Sequence, residues 1–235
     1  MRLFQLLLFI LACNVSAQQV EFLQFGDTLQ KPEYQNFVYI DDKTDVSAAI
    51  FVGRLRSWGK LDDVSNLFGL IKTKAQEVGA TSFRFESFRR TDETNGELIL
   101  SVYFNEGDFF DVNFENLPKD KIFILGSPDL TQIKSQGFKV DGNKYEVESG
   151  KFREFDISEA KDVKINKGGF TGMTLWVARK EGGYSSFFGF SGIGLSGMSV
   201  SPTGMGGGIA INTGTIHKLE PNLALLLLRV YTKMN

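Results

Sequence analysis

Residues 62–85, DDVSNLFGLIKTKAQEVGATSFRF, change their hydrophobic period part-way along. Val64, Leu67, Phe68, Ile71, Ala75 and Val78 recur at the three- and four-residue spacing of a single helical face. Asp62 or Asp63 stands where a carboxylate accepts from the free first-turn amides, and Gly79 stands where left-handed backbone stops a helix. Beyond Gly79 the period falls to two, with Phe83 and Phe85 alternating against Arg84 and Glu86, the pattern of a half-buried strand. A helix feeding such a strand predicts an α+β unit, one helix covering one face of an antiparallel sheet.

On the N-terminal side of this stretch, Phe37 to Ile40 and Ala49 to Leu55 read as strands separated by the polar residues Asp41 to Asp45. On its C-terminal side, Asn95-Gly96 offers a turn before a strand from Glu97 to Phe104. A further turn at Asn105 to Asp108 leads into Phe110, Val112 and Phe114, whose alternation predicts one more strand ending near Asn116. Leu117-Pro118-Lys119-Asp120 reads as a boundary, which gives an α+β domain over residues 18–116.

Residues 117–235 read as a β-rich domain, a sandwich or partial barrel, with a glycine-rich segment at 182–214. Its strands are expected at Ile122 to Leu125, Gly137 to Val140, Tyr145 to Val147, Phe152 to Ile157 and Met173 to Arg179. The apolar run Leu223 to Val230, bounded by Pro221 and Tyr231, is too short to span a bilayer as a helix and reads as a buried closing strand.

Met1 to Ala17 carries a lone Arg2, an apolar run from Leu3 to Ala12 and small residues at Ser16 and Ala17, the pattern of a cleaved export signal. The alternative is a lipid anchor through Cys13, since Ile10-Leu11-Ala12-Cys13 partly matches a lipobox, although Leu11 replaces a small residue. The expected location is therefore secreted or periplasmic, with no transmembrane helix in the mature chain. Cys13 is the only cysteine, so the remaining 218 residues hold no thiol for catalysis or disulfides. They carry 25 basic against 28 acidic residues, a net charge of −3, which gives no electrostatic reason to expect nucleic acid as a partner. The 22 Phe and 25 Gly of the chain favour strands and turns over a helical bundle.

Two stretches resemble known bacterial modules. Lys139 to Ile157, with turns at Val140 to Lys144 and Ser149 to Lys151, resembles the double-hairpin β-modules of exported bacterial proteins. Lys74-Ala75-Gln76-Glu77-Val78-Gly79-Ala80, within Asp62 to Phe85, resembles the helix-to-strand passage of small envelope α+β families. Together they cover about a fifth of the chain and rest on turn chemistry and helix stopping, so they carry no activity and no site residue.

The motifs that suggest chemistry fail on context. Gly192-Ile193-Gly194-Leu195-Ser196-Gly197 spells the G-x-G-x-x-G fingerprint, but the following residues are too rich in Ser, Gly and Pro to begin the helix that would meet a pyrophosphate. The serines at 191 and 196 lack the second glycine of a nucleophile elbow. His217 is the only histidine, which excludes a His-rich metal site. Asp41, Asp42, Asp45, Asp62 and Asp63 lack the D-x-D-x-D order of a Ca²⁺ loop and read as turn and cap residues. No catalytic residue, metal or cofactor is assigned.

A five-residue repeat explains the glycine-rich segment better. Phe188-Gly189-Phe190-Ser191-Gly192, Ile193 to Gly197 and Met198 to Pro202 each run apolar, small, apolar, Ser, breaker. The candidate interaction surface is therefore an exposed apolar edge formed by Phe188, Phe190, Ile193, Leu195, Met198 and Val200. The expectation is an exported, non-enzymatic binding or scaffolding protein of the bacterial envelope. Its partner would be an envelope protein or glycan, with self-association through the repeat as a further option. The alternative is a secreted hydrolase using a carboxylate pair between the two halves.

Overall fold

The first helix, α1 (Ser65–Glu77), begins where Asp63 Oδ1 accepts from the Ser65 amide at 3.0 Å and ends at Gly79, whose φ of +90° suits glycine. In the computed structural model, which describes residues 19–27, 36–105, 107–159, 162–168, 172–190 and 215–235, Leu67, Phe68, Ile71 and Ala75 are buried on the expected face. Met1 to Ala17 with Cys13, and Ile193, Leu195, Met198 and Val200 of the repeat, lie outside the described residues.

The helix lies on a five-stranded sheet of β1 (Gln19–Phe25), β2 (Val38–Tyr39), β3 (Ile50–Lys60), β4 (Ser82–Arg90) and β5 (Asn95–Phe104), in the order β1-β3-β5-β4-β2. Alternation sorts its two faces. Leu55, Leu98, Leu100, Val102 and Phe83 point into the core, while Arg54, Arg56, Trp58, Glu97 and Arg89 form a charged outer face. The turn joining β4 to β5 is Thr91 to Thr94, held by Asp92, which accepts from the amides of Thr94 and Asn95 at 2.8 Å. Asn95-Gly96, expected as that turn, instead starts β5, and a Cβ at Gly96 would lie 2.6 Å from Leu61.

The remaining described strands form two further sheets. The central one contains β6 (Lys121–Leu125), β9 (Lys151–Asp156), β12 (Ser186–Phe190), β13 (Ile216–Lys218) and β14 (Thr232–Lys233), in the order β13-β12-β6-β9-β14. The outer one is antiparallel and contains β7 (Ser135–Val140), β8 (Asn143–Glu148), β10 (Asp162–Lys167) and β11 (Met173–Ala178), in the order β11-β10-β7-β8. Among the described residues no sheet closes into a barrel; the architecture is α+β with sandwich-like sheets.

β6 shows how the layers fit. Ile122 and Ile124 join a core with Phe138, Val140, Val147 and Ile165 of the outer sheet, whereas Phe123 and Leu125 join the core shared with α1. Both faces are covered, which is why the strand reads as a continuous apolar run. The α1 core includes residues from both sides of Leu117 to Asp120, among them Phe83, Phe123 and Phe187.

Two segments differ from the sequence expectation. Residues 108–116 form a helix, α2 (Asp108–Asn116), not a strand. Gly107 turns the chain at φ +51°, Asp108 and Asp111 lie in the first turn where the helix dipole favours acids, and Phe110 and Phe114 are one turn apart. Leu223 to Val230 is likewise no closing strand but most of α3 (Pro221–Val230). Pro221 opens it, the Glu220 carboxylate accepts from the amides of Asn222 and Leu223 at 3.0 and 2.7 Å, and unbranched Leu and Ala favour helix. Leu223 to Leu227 are all buried, since α3 packs against strands of both the first and the central sheet.

Candidate functional site

The apolar pairs of the five-residue repeat do not begin a free edge. Phe188 and Phe190 share one face of β12, as a period of two requires, but that face is core: Phe188 is 4% exposed and Phe190 fully buried, with Phe138 5.1 Å from the Phe190 ring. β12 is an interior strand, parallel to β6 on one side and antiparallel to β13 on the other, so neither of its ladders is free. Among the candidate surface residues these two are therefore structural.

The acids and the histidine take ordinary places. Asp41 and Asp45 accept from amides two residues on, Asp42 pairs with Arg229 at 2.7 Å, and His217 is exposed on β13. Asp63 and Asp129, from the two halves, are close enough to influence one another, but Asp63 is held by Ser65, and Asp129 by Thr131 and Lys134. Among the described residues no group of three or more His, Cys, Asp or Glu is placed to hold a metal ion.

The unusual element is α2, which is oriented against its composition. Its only buried residue is the polar Asn113, while Val112 is 60% exposed and Phe109, Phe110 and Phe114 are only partly covered. Asn113 makes three hydrogen bonds. Its Oδ1 accepts from the Asp41 amide at 2.9 Å and the Thr44 hydroxyl at 3.0 Å, and its Nδ2 donates to the Tyr39 carbonyl at 2.8 Å. Asn116 adds a bond from Nδ2 to the Thr44 hydroxyl at 3.0 Å. These bonds hold the polar face of α2 against the loop after β2, which turns its aromatic face outward.

Tyr184 continues that face. Its neighbours are fixed by a bridge from Lys119 to Tyr184 and by the Ser185 hydroxyl donating to the Pro118 carbonyl at 2.9 Å, while Tyr184 itself is 62% exposed. Phe109, Phe110, Phe114 and Tyr184 then form a chain of ring contacts with centroid separations of 5.8, 6.4 and 5.8 Å. Beside it lies an apolar cavity of about 290 Å³ bounded by Val38, Phe114, Leu117, Pro118, Phe187 and Leu225. Val38 of β2, Phe187 of β12 and Pro221, Asn222 and Leu225 of α3 form part of its lining. Asp108 and Asp111 are exposed on the same helix and have no cation within 4.0 Å among the described residues.

Sequence reasoning missed this site because it read Phe110, Val112 and Phe114 by period two. The signals that could have found it were Gly107, two acids in a first turn and the Phe110/Phe114 spacing. Comparison with family models, curated proteins and solved structures finds no match to the chain, in keeping with resemblances that carry no functional family.

Proposed function

We propose that this is a non-enzymatic binding or scaffolding protein of the bacterial envelope. Its groove between α2, Tyr184 and the start of α3 takes an apolar anchor from a partner polypeptide. The observation that carries the reading is the orientation of α2, which buries an asparagine and leaves aromatic rings on the surface next to an apolar cavity. Aromatic surface beside a preformed apolar pocket is the composition of an interface centre rather than of a solvated face. A cavity of about 290 Å³ accommodates one or two large side chains, and the acids at 108 and 111 favour basic residues flanking them. The export address rests on the pattern of residues 1–17, and a mature N-terminus at Gln18 in protein isolated from its host is the result that supports it.

Selection of a random peptide library on the immobilised protein tests the groove. The expected consensus is an aromatic or aliphatic anchor next to Lys or Arg, with binding lost in the double variant Phe110→Ser/Tyr184→Ser. Absence of a consensus, or equal binding to the double variant, overturns the reading. Concentration-dependent dimerisation that the same variant abolishes would make the occupant a second copy of this chain.

A further inference from the structure

β11 is an open edge of the outer sheet, and β10 fixes which of its peptide groups are free. The Lys164 carbonyl accepts from the Asp141 amide at 2.9 Å and the Lys164 amide donates to Asp141 Oδ1 at 2.8 Å, so both main-chain groups of Lys164 point towards the β7 side. Strand neighbours direct their peptide groups to opposite edges, so Val163, Ile165 and Lys167 are the residues that bond β11, through Val177, Leu175 and Met173. Thr174, Trp176 and Ala178 therefore turn their amides and carbonyls away from the sheet. None of these groups has a partner among the described residues. Asn166 Nδ2 donates to Thr174 Oγ1 at 2.5 Å, in keeping with a non-hydrogen-bonded pair, whose side chains lie closest.

Native edges are usually blunted by charge, a bulge, short length or a cover. β8, at the other side of the same sheet, carries Lys144, Glu146 and Glu148, and β1 has a bulge between Phe22 and Gln24. β13 and β14 are three and two residues long, and β2 is closed by Asn113 and Asn222. β11 has none of these devices. Its six residues, Met-Thr-Leu-Trp-Val-Ala, keep one register with β10 throughout, carry no charge, and leave Thr174, Trp176 and Ala178 exposed. β13 meets it at Met173, whose sulfur accepts from the Ile216 amide at 3.3 Å and whose own peptide groups face β10.

We propose that β11 pairs with β11 of a second copy of this chain, antiparallel about a two-fold axis through Trp176. In that register Trp176 lies opposite Trp176 of the second copy, Thr174 opposite Ala178, and Leu175 opposite Val177. The free peptide groups of 174, 176 and 178 then exchange both bonds in each pair. Leu175 and Val177, half-buried against the outer-sheet core, extend that core across the axis. Charge is compatible as well. No charged side chain of β11 opposes another, and Lys180, the next residue on the Trp176 face, falls opposite Gly172, which has no side chain. The Lys164 ammonium, 5.3 Å from the Trp176 ring centroid, stays on the outer side of each ring. Three strand spacings, about 14 Å, separate the two lysines, more than the Debye length of about 8 Å at physiological ionic strength. A foreign strand would have to be uncharged and apolar at the places facing 175 and 177; the chain's own β11 meets both demands. Pairing merges two four-stranded sheets into one continuous sheet. Six residues a side is fewer than the roughly 20–30 of a standard interface, so the dimer is weak and concentration-dependent. It does not rest on the α2 groove.

Sedimentation velocity of the protein over micromolar to millimolar concentrations tests the pairing. The wild type is expected to pass from monomer to dimer and no further, because a two-fold contact uses up the edge. Trp176→Lys and Trp176→Glu each put like charges opposite one another on the axis and should weaken the dimer at least tenfold, whereas an equimolar mixture of the two should restore it. Thr174→Pro removes an amide that only the second copy would receive, and should weaken the dimer in the same way. Restoration by the mixture separates loss of pairing from loss of fold. Phe110→Ser should leave the dimer unchanged, which separates it from the α2 groove. A wild type that stays monomeric to millimolar concentration, a dimer that survives Trp176→Lys, one that is lost in Phe110→Ser, or charge variants that fail to restore one another would overturn the proposal.

Discussion

Asn113 holds Tyr39 by donating from its side-chain amide to the Tyr39 carbonyl at 2.8 Å, 74 residues away in the chain. Along the same edge Asn222 Oδ1 accepts from the Tyr39 amide at 2.9 Å. Tyr39 lies in the edge strand of the first sheet, whose ladder bonds to β4 are made by Val38 and Ile40. The two asparagines satisfy the peptide groups that face away from the sheet, so α2 and the start of α3 together close an edge that would otherwise be open to pairing. The same bonds decide which face of α2 meets solvent.

Asn113→Ala should therefore act on stability and on the groove together. It leaves the Asp41 amide and Tyr39 carbonyl without their partner, at about 1–3 kcal/mol for each buried group orphaned. Urea melts with hydrogen exchange at Asp41 measure this. A variant with wild-type stability and protection would mean that α2 is not held by this residue.

Ile71→Ala and Phe68→Ala should each cost about 2–5 kcal/mol, since both side chains are buried between α1 and the sheet. Lys72→Ala, on the exposed side of the same helix, should change stability by less than about 0.5 kcal/mol. Denaturant midpoints of the three variants are the comparison, and equal midpoints for Ile71→Ala and wild type would contradict the packing.

Tyr231 is 6% exposed and its hydroxyl has no hydrogen-bond partner among the described residues, while burial pushes the phenol well above the ordinary tyrosine range. Tyr231→Phe should leave stability unchanged or raise it by up to about 1–3 kcal/mol, because it removes an unpaired polar atom and keeps the ring. Tyr231→Ala should cost about 3–5 kcal/mol. A Tyr231→Phe variant clearly less stable than wild type would show that the hydroxyl is bonded in solution.

Burial raises the Asp63 carboxyl above the usual carboxylate range, against the bonds it accepts from Ser65 and with help from the nearby Asp62 and Asp129. The folded state therefore holds the proton more tightly than the unfolded chain. The stability linked to it is fully present below about pH 4 and lost as pH rises through the raised folded value. Asp63→Asn keeps an oxygen that accepts from Ser65 and carries no charge, so it should be more stable than wild type at pH 7, with the difference fading towards pH 3. Thermal melts across that range decide the matter; a difference that does not vary with pH would rule out a raised carboxyl.

Local signals determined much of this protein. The six-residue apolar face before Gly79, the alternation at Phe83 and Phe85, and the apolar run Ile122 to Leu125 each identify their element, because helix stopping and strand burial depend on neighbours in the chain. What tertiary structure alone decided is the meaning of apolar segments that fit two periods. Phe110 and Phe114 satisfy a strand and a helix equally, and only the bonds of Asn113 to a loop some 70 residues away select the helix and turn its rings outward. Leu223 to Leu227 are buried at five consecutive helical positions because strands of two sheets pack on that helix. Phe188 and Phe190 became core because β6 and β13 flank their strand. Which residues of β7, β8, β10 and β11 share a face is likewise set by register across four strands, a relationship between distant residues that no local pattern encodes.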